Sequence, residues 1–516
     1  MIDKNDVILI IDFGSQYTQL IARRIREIGV YSIVKPNNIS LKAFKEINPK
    51  GVILSGGPDS ITKIRKIRMT VNIKKLEIPI LGICYGMQYI ADIYGGKVSK
   101  SKTKEFGHSI FKIIRKSKIF PKKIVGKQID VWMSHSDKVT KAPNNFRITG
   151  KSTNSSISSF SLEDKNIYAL QFHPEVTNTQ YGKNIIKAFI IDICKCKKEW
   201  TTKNIINEKV RQIKNIVKNE KVLLGLSGGV DSTVVAVLLK KSIKNNLICM
   251  FIDTGLLRKN EKDEVIANIK KRLNLNLKVI NAQSVFMRKL KNVTDPESKR
   301  KIIGETFIRV FEKESKKFKN IKYLAQGTIY PDVIESSSSS NNSDVIKSHH
   351  NVGGLPKKFN FALVEPIRNL FKDEVRNIGK ELSIPNKLLN RHPFPGPGLA
   401  VRIIGNITKE KVAILQEVDN IFIDELVSSN FYDKVSQALA VFLPIKSVGV
   451  MGDQRKYNYV VALRSVETTD FMTAYVSKLP LEILNKISTR IINEVPKVSR
   501  VVYDITSKPP GTIEWE

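Results

Sequence analysis

The chain is poor in cysteine, short of acidic charge relative to basic, and without any long apolar run. Four cysteines in 516 residues are too few for a disulfide framework, and such usage fits a reducing cytoplasm. No stretch of about 18 uncharged apolar residues occurs, so a membrane-spanning helix is not expected. The opening Met1-Ile2-Asp3-Lys4-Asn5-Asp6 carries acidic residues and no basic flank before an apolar core. It does not read as a secretory signal, and residues 7–11 read instead as a buried strand.

Lys and Arg number 86 against 49 Asp and Glu, a formal charge of +37. A basic surface attracts phosphates, so nucleic acid has to be weighed as a partner. The lysines, however, are scattered through every segment beside abundant Ile and Asn. That pattern reads as a genome-wide compositional bias, since a recognition surface is clustered. No nucleic-acid partner is therefore expected. The length predicts two to four domains, and the 41% hydrophobic content is ample for folded cores.

Three blocks emerge, with no internal repeat. Residues 7–198 alternate short apolar strands (7–11, 51–54, 78–82) with helical stretches, which predicts an α/β fold on a mainly parallel sheet. The polar stretch 194–203 reads as a linker. The second block restarts the rhythm with a strand at 221–226, a helix at 232–241 and strands at 247–252 and 323–327, the pattern of a doubly wound sheet. A serine/asparagine tract at 336–343 predicts a lid-like loop. The third block begins near Arg391-His392-Pro393-Phe394-Pro395-Gly396-Pro397-Gly398, whose prolines and glycines forbid regular structure and mark a hinge. Helices at 409–428 and 481–494 and strands at 448–451 and 459–464 make it α+β.

Gly82-Ile83-Cys84-Tyr85-Gly86 stands between an apolar strand and a helical stretch. A nucleophile there sits on a sharp turn at a helix N-terminus, where N–H groups favour the reactive thiolate. Cys194, Cys196 and Cys249 read as structural cysteines, and Cys194-Lys195-Cys196 lacks the second pair a zinc site needs. A thiolate needs a base. His173, in Gln171-Phe172-His173-Pro174-Glu175, follows an apolar strand, and Glu175 two positions on can orient its imidazole.

These segments, with Asp12-Phe13-Gly14-Ser15-Gln16 and Leu54-Ser55-Gly56-Gly57-Pro58, resemble class I (triad) glutamine amidotransferases. The resemblance implies that Cys84 attacks the glutamine side-chain amide, releasing ammonia and leaving a glutamyl thioester. It also implies oxyanion-hole N–H groups at Gly57 and Tyr85, and glutamine contacts near Gln88 and near His135 in Ser134-His135-Ser136-Asp137.

A second centre lies at Leu226-Ser227-Gly228-Gly229-Val230-Asp231-Ser232, followed by Thr233. Small residues let backbone amides and hydroxyls close on phosphate oxygens at a helix N-terminus. The segment lacks the Gly-Lys-Ser/Thr of a Walker loop and resembles the PP-loop of ATP pyrophosphatases. Those enzymes transfer AMP to a substrate oxygen, which then leaves readily. Asp231 is a candidate for organising Mg²⁺, with a turn-capping role as its alternative. Asp253-Thr254-Gly255 and the segment from Gly327 to Asp332 follow further strands at their carboxyl ends. Lys347, His349 and His350 suit a lid over phosphates.

PP-loops also occur in asparagine, argininosuccinate and NAD synthetases and in tRNA thiolases. A triad glutaminase preceding a PP-loop, with the 391–399 segment and the tail 508–516, resembles the glutamine-hydrolysing GMP synthetases along essentially the whole chain. The resemblance implies a glutaminase domain (1–198), an ATP pyrophosphatase domain (199–391) and a dimerising domain (392–516) that completes the nucleotide site. It implies XMP contacts at Arg300, Lys508, Ile513 and Glu514, a homodimer, and no prosthetic group beside Mg²⁺ with ATP. A tRNA-modifying PP-loop enzyme and a non-catalytic nucleotide sensor are the rival readings.

Overall fold

A computed structural model describes residues 6–63, 67–318, 320–333, 361–451, 454–468, 471 and 473–516. The chain divides into two compact units at Asn204/Ile205.

In the first unit, strands β1 (Val7–Asp12), β2 (Tyr31–Pro36), β3 (Gly51–Leu54), β4 (Ile80–Ile83), β5 (Lys97–Ile113), β6 (Gln128–Lys141), β7 (Arg147–Ser152), β8 (Ser159–Leu162) and β9 (Ile167–Leu170) form one sheet. Its order is β2-β1-β3-β4-β9-β8-β7-β5-β6. Pairing is parallel from β2 to β9 and antiparallel beyond. The parallel strands β3, β4 and β9 are buried along their whole length. Covered on both faces, they need uninterrupted apolar residues, which is why they were legible as short apolar runs. The helix Thr18–Glu27 turns Ile21, Ala22 and Ile25 inward at helical spacing.

The stretch 194–203 does not behave as a polar linker. Cys194, Cys196 and Trp200 are buried. The Trp200 ring lies 4.4 Å from that of Tyr31, with the Arg26 guanidinium over both, and the Trp200 backbone N–H donates to Gly29 O at 2.9 Å. One indole offers enough apolar surface to hold the whole segment on the first unit despite its lysines.

In the second unit, β10 (Lys221–Gly225), β11 (Leu247–Asp253), β12 (Leu277–Asn281), β13 (Ile321–Ala325) and β14 (Ala362–Val364) form a parallel sheet of order β12-β11-β10-β13-β14. Successive strands step one way from β10 to β12 and the other way from β13, so the loop after β10 opens at the switch point, where such sheets bind ligands. A second sheet holds β15 (Gln437–Met451), β16 (Gln454–Glu467), β17 (Tyr475–Val476) and β18 (Val498–Tyr503); β16 pairs antiparallel with β15 and β17 and parallel with β18. The helices Lys409–Ser428 and Leu481–Glu494 begin and end where expected. Thr408 caps the first, accepting from Lys411 N–H at 3.2 Å.

One hydrophobic cluster joins Leu223 and Met250 of the parallel sheet to Leu415, Phe422, Phe442 and Val461 of the C-terminal region. The expected hinge at 391–398 has no regular structure through its prolines but is anchored. His392 is buried and stacks on Tyr432, centroids 3.9 Å apart.

Candidate active sites

Cys84 directly follows β4 and caps the helix Tyr85–Ile93 with φ 53° and ψ −105°, a left-handed φ that costs a side-chain-bearing residue energy. The neighbours explain how it is held. A Cβ on Gly86 would fall 2.3 Å from Leu54 O, and one on Gly82 2.6 Å from the Gly86 carbonyl. Glycine at both places lets the turn press onto β3, locked by Gly86 N–H to Ser55 O at 3.0 Å and Cys84 N–H to Leu170 O at 2.8 Å. The thiol donates to Ser134 O at 3.5 Å. Gly57 packs so tightly that a Cβ would lie 2.8 Å from Phe13 O, and Tyr85 is the first residue of the helix, where N–H groups lack intrahelical partners.

His173 and Glu175 follow β9. His173 Nδ1 lies 2.7 Å from Glu175 Oε1 with both side chains buried, and Nε2 has no acceptor of its own. Burial alone would lower the imidazole pKa, but Glu175 and the neighbouring Cys84 outweigh it and hold the pKa well above the ordinary histidine value. Three contacts fix the ring and its loop. Tyr17 meets the imidazole edge-on with centroids 4.9 Å apart, Thr179 Oγ1 donates to His173 O at 2.6 Å, and Arg24 Nε donates to Glu175 O at 2.9 Å. Cys84, His173 and Glu175 thus form one buried thiol–imidazole–carboxylate array.

Gln88 and His135 meet at a shared atom. Gln88 Nε2 donates to Asp137 O at 2.9 Å, and His135 Nδ1 lies 3.0 Å from the same oxygen. His135 Nε2 is 3.0 Å from Glu105 Oε2, both side chains buried. Sequence reasoning missed Glu105. The signal was there: Ile129, Val131, Met133, His135, Asp137 and Val139 alternate on the buried face of β6, with two polar residues at core positions.

The remaining thiols are buried and inert. Burial pushes Cys249 up to about 12, and burial with the Asp6 carboxylate does the same for Cys196. Cys194 goes higher still through burial and its neighbour Cys196. A thiol kept protonated is neither nucleophile nor ligand.

In the second unit, Gly228 takes φ 76° and Gly229 caps the helix Val230–Ile243. Hydroxyls knit the turn. Ser227 Oγ lies 3.1 Å from Ser232 Oγ, Gly229 N–H donates to Ser227 Oγ at 3.2 Å, and Thr233 Oγ1 donates to Gly229 O at 2.8 Å. Val230 is buried and anchors the helix start. Asp231 Oδ2 pairs with Lys372, and its Oδ1 is a buried oxygen without a hydrogen-bond partner. Arg391 reaches the loop at Gly228 O, 3.4 Å, and pairs with Glu261. Asp253, at the end of β11, is held by Gln283 Nε2 at 2.8 Å and Lys262 Nζ at 3.3 Å. A Cβ on Gly327 would crowd Ser232 N–H at 3.1 Å, so the segment after β13 borders the same turn. Lys372 and Lys262 lay outside every motif and were not anticipated.

The tail is seated on buried cations. Arg402, fully buried, grips Glu514 through Nε (2.9 Å) and an NH2 (2.8 Å), and Gln437 Nε2 adds a third donor at 2.8 Å. Ile513 is buried in a small cluster with Leu439 and Val441. Arg300 and the buried Lys299 bond to Glu516, and Lys508 Nζ donates to Phe471 O at 2.7 Å. Lys347, His349, His350 and the tract 336–343 lie outside the described residues.

Residues 9–193 match the family model Glutamine amidotransferase class-I, residues 201–308 NAD synthase, and residues 424–515 GMP synthase C terminal domain. GMP synthase (glutamine-hydrolyzing) of Legionella pneumophila strain Paris is 53% identical, with 99% of each chain covered. The protein of that name from Thermosipho melanesiensis is 54% identical over 99% of each chain. That from Hahella chejuensis is 54% identical over 99% of this chain and 98% of its own. With both centres in place and the likeness running from end to end, the chain belongs to the glutamine-hydrolyzing GMP synthase family.

Proposed function

We infer that the chain makes GMP from XMP, using glutamine as nitrogen donor and ATP as activator. The observation that carries this is the buried Cys84–His173–Glu175 array on a strained turn, in a chain whose β10 also ends in a PP-loop.

At the first centre, the Cys84 thiolate adds to the side-chain amide carbon of glutamine. The developing oxyanion is met by the N–H groups of Gly57 and Tyr85. The imidazolium of His173, kept charged by Glu175, gives its proton to the leaving nitrogen, and ammonia departs. Neutral His173 then draws a proton from water, which hydrolyses the thioester to glutamate. Gln88 and His135 border this pocket through Asp137.

At the second centre, an XMP oxygen attacks the α-phosphorus of ATP and pyrophosphate leaves into the loop of Ser227, Gly228, Gly229, Val230, Asp231, Ser232 and Thr233. Ammonia then displaces AMP to give GMP. Overall, XMP, ATP, glutamine and water become GMP, AMP, pyrophosphate and glutamate. Asp231 fits a single-carboxylate role toward Mg²⁺, because its Oδ1 is unpartnered; bound there with ATP, the ion neutralises phosphate charge. Arg300, Lys508, Ile513 and Glu514 line the XMP side, with Lys347, His349 and His350 as the lid.

A homodimer is supported by the C-terminal sheet, where Val448, Val450 and Tyr457 are exposed on one face, Val448 facing Tyr457 across the β15/β16 ladder. Contiguous apolar surface of that kind marks interaction sites. Sedimentation of a Val450→Glu/Tyr457→Glu variant tests it: monomers are expected, and an unchanged mass rejects this face. Among the described residues no helix is long and apolar enough to cross a membrane, and we place the enzyme in the cytoplasm.

The test of the whole reading follows GMP, AMP and pyrophosphate with XMP supplied. Cys84→Ala should abolish the glutamine-dependent rate and leave the ammonium-dependent rate largely intact. Equal loss of both would reject two separable centres.

A further inference from the structure

We propose that Glu105 is a positioning residue for the glutamine-hydrolysing step, acting through His135 on the strand segment against which Cys84 is placed. The inference rests on the glutaminase reading of Cys84 and extends it to groups beyond the triad.

Glu105 is a carboxylate where a core residue belongs. It shares a strand face with Phe111 and Ile113, both fully buried, and is itself buried. Burial would raise its pKa, but the His135 contact and the Ser152 and Ser109 hydroxyls override this and hold it below the ordinary glutamate value. Ser152 Oγ donates at 3.0 Å and Ser109 Oγ at 3.3 Å, and His135 Nε2 stands 3.0 Å away. Both Glu105 oxygens accept from Ser152, and His135 Nε2 stands opposite at ion-pair distance without a hydrogen bond of its own; a buried charge so placed is costly to build and fixes its surroundings.

What it fixes is the segment Ser134–Asp137. The β5/β6 ladder slips there: Glu105 faces His135 and Lys100 faces Asp137, so residues 101–104 stand opposite Ser136 alone. The pleat cannot set the register of β6 across such a slip. The Glu105–His135 pair supplies the missing constraint, and three links pass it on. Ser134 O accepts from the Cys84 thiol at 3.5 Å. Asp137 O receives Gln88 Nε2 of the nucleophile's helix and lies 3.0 Å from His135 Nδ1. Asp137 Oδ2 accepts from Ser60 Oγ, on the loop that continues from Gly57. Glu105 therefore ties the nucleophile, its helix and the oxyanion loop to one strand without touching substrate.

The experiment measures steady-state kinetics of Glu105→Gln, Ser60→Ala and the double variant in the full-length enzyme, with glutamine or ammonium as nitrogen source and Cys84→Ala as control. Glu105→Gln is expected to lower the glutamine-dependent kcat at least about tenfold, with KM for glutamine within about threefold, because a small misplacement of reacting groups slows the chemical step. The ammonium-dependent rate should hold. Ser60→Ala should give a smaller fall of the same kind, and the double variant less than the product of the two, as expected of one route. A raised KM with unchanged kcat overturns the proposal, since it would make the pair a substrate-binding element. Parallel loss of both nitrogen sources, wild-type kinetics, or fully multiplicative effects overturn it as well. If Cys84→Ala keeps its glutamine-dependent rate, the glutaminase reading itself fails; if only Glu105→Gln is silent, only this inference does.

Discussion

Lys372 brings its ammonium within 2.5 Å of the Asp231 carboxylate, although the two residues are 141 positions apart. The pair sets a positive charge at the mouth of the phosphate turn and leaves Asp231 Oδ1 unpartnered.

Asp231→Asn should therefore remove GMP formation with either nitrogen source, and Lys372→Met should lower it at least about tenfold through lost charge stabilisation at the phosphates. The Lys372 and Asp231 side chains are 37% and 27% exposed, so the loss in folding stability should stay below about 1 kcal/mol. Product assays beside urea unfolding separate the two effects. Full activity in Lys372→Met would place the lysine outside the ATP site.

Glu175→Gln keeps the shape of the His173 partner but removes its charge. The glutamine-dependent kcat should drop on the order of a hundredfold, the scale of proton-transfer assistance. The sign of the pH effect is fixed. Glu175 raises the His173 pKa, so without it the imidazolium is lost at lower pH, and the alkaline limb of kcat/KM moves toward acid. A limb that stays in place, or moves the other way, would remove Glu175 from control of His173.

Gly86→Ala puts a methyl group 2.3 Å from the Leu54 carbonyl oxygen. Overpacking at a site flanked by backbone should cost about 1–3 kcal/mol, seen as a lower urea midpoint, and should move Cys84 off its turn. Loss of glutamine-dependent activity with ammonium-dependent activity retained is expected. An unperturbed glutaminase would show that the turn tolerates slack.

His392 provides an acid-sensitive element in the second unit. Burial is the main cause that lowers its pKa to about 4, with Arg258 nearby adding to it and Asp433 and the Tyr432 carbonyl opposing. A histidine held neutral in the fold contributes stability that is complete above its unfolded pKa, about 6.5. It is lost as pH falls through the window from about 6.5 to about 4. Those limits bound the loss at about 3 kcal/mol near pH 4. Unfolding midpoints of wild type and His392→Gln should converge as pH falls through that window. A constant gap between them would disprove the linkage.

Much of the site was legible because its backbone demands are local. A nucleophile flanked by glycines at a strand–helix junction has few conformations open to it, and Cys84 adopts the strained one. Small residues after β10 permit a phosphate-sized turn for the same steric reason. The helices Lys409–Ser428 and Leu481–Glu494 announced themselves by length and apolar spacing. The stretch 194–203 was misread because lysines mask the one Trp200 that anchors it.

The sequence by itself determined the two chemical centres, their order and the kinds of sheet that carry them, since each depends on residues that are neighbours in the chain. Tertiary structure alone decided the partners: Lys372 for Asp231, Glu105 for His135, and Arg402 for Glu514. Such pairs are set by which strand ends and helix faces converge after folding. A buried charge requires some partner there, but no local pattern specifies which.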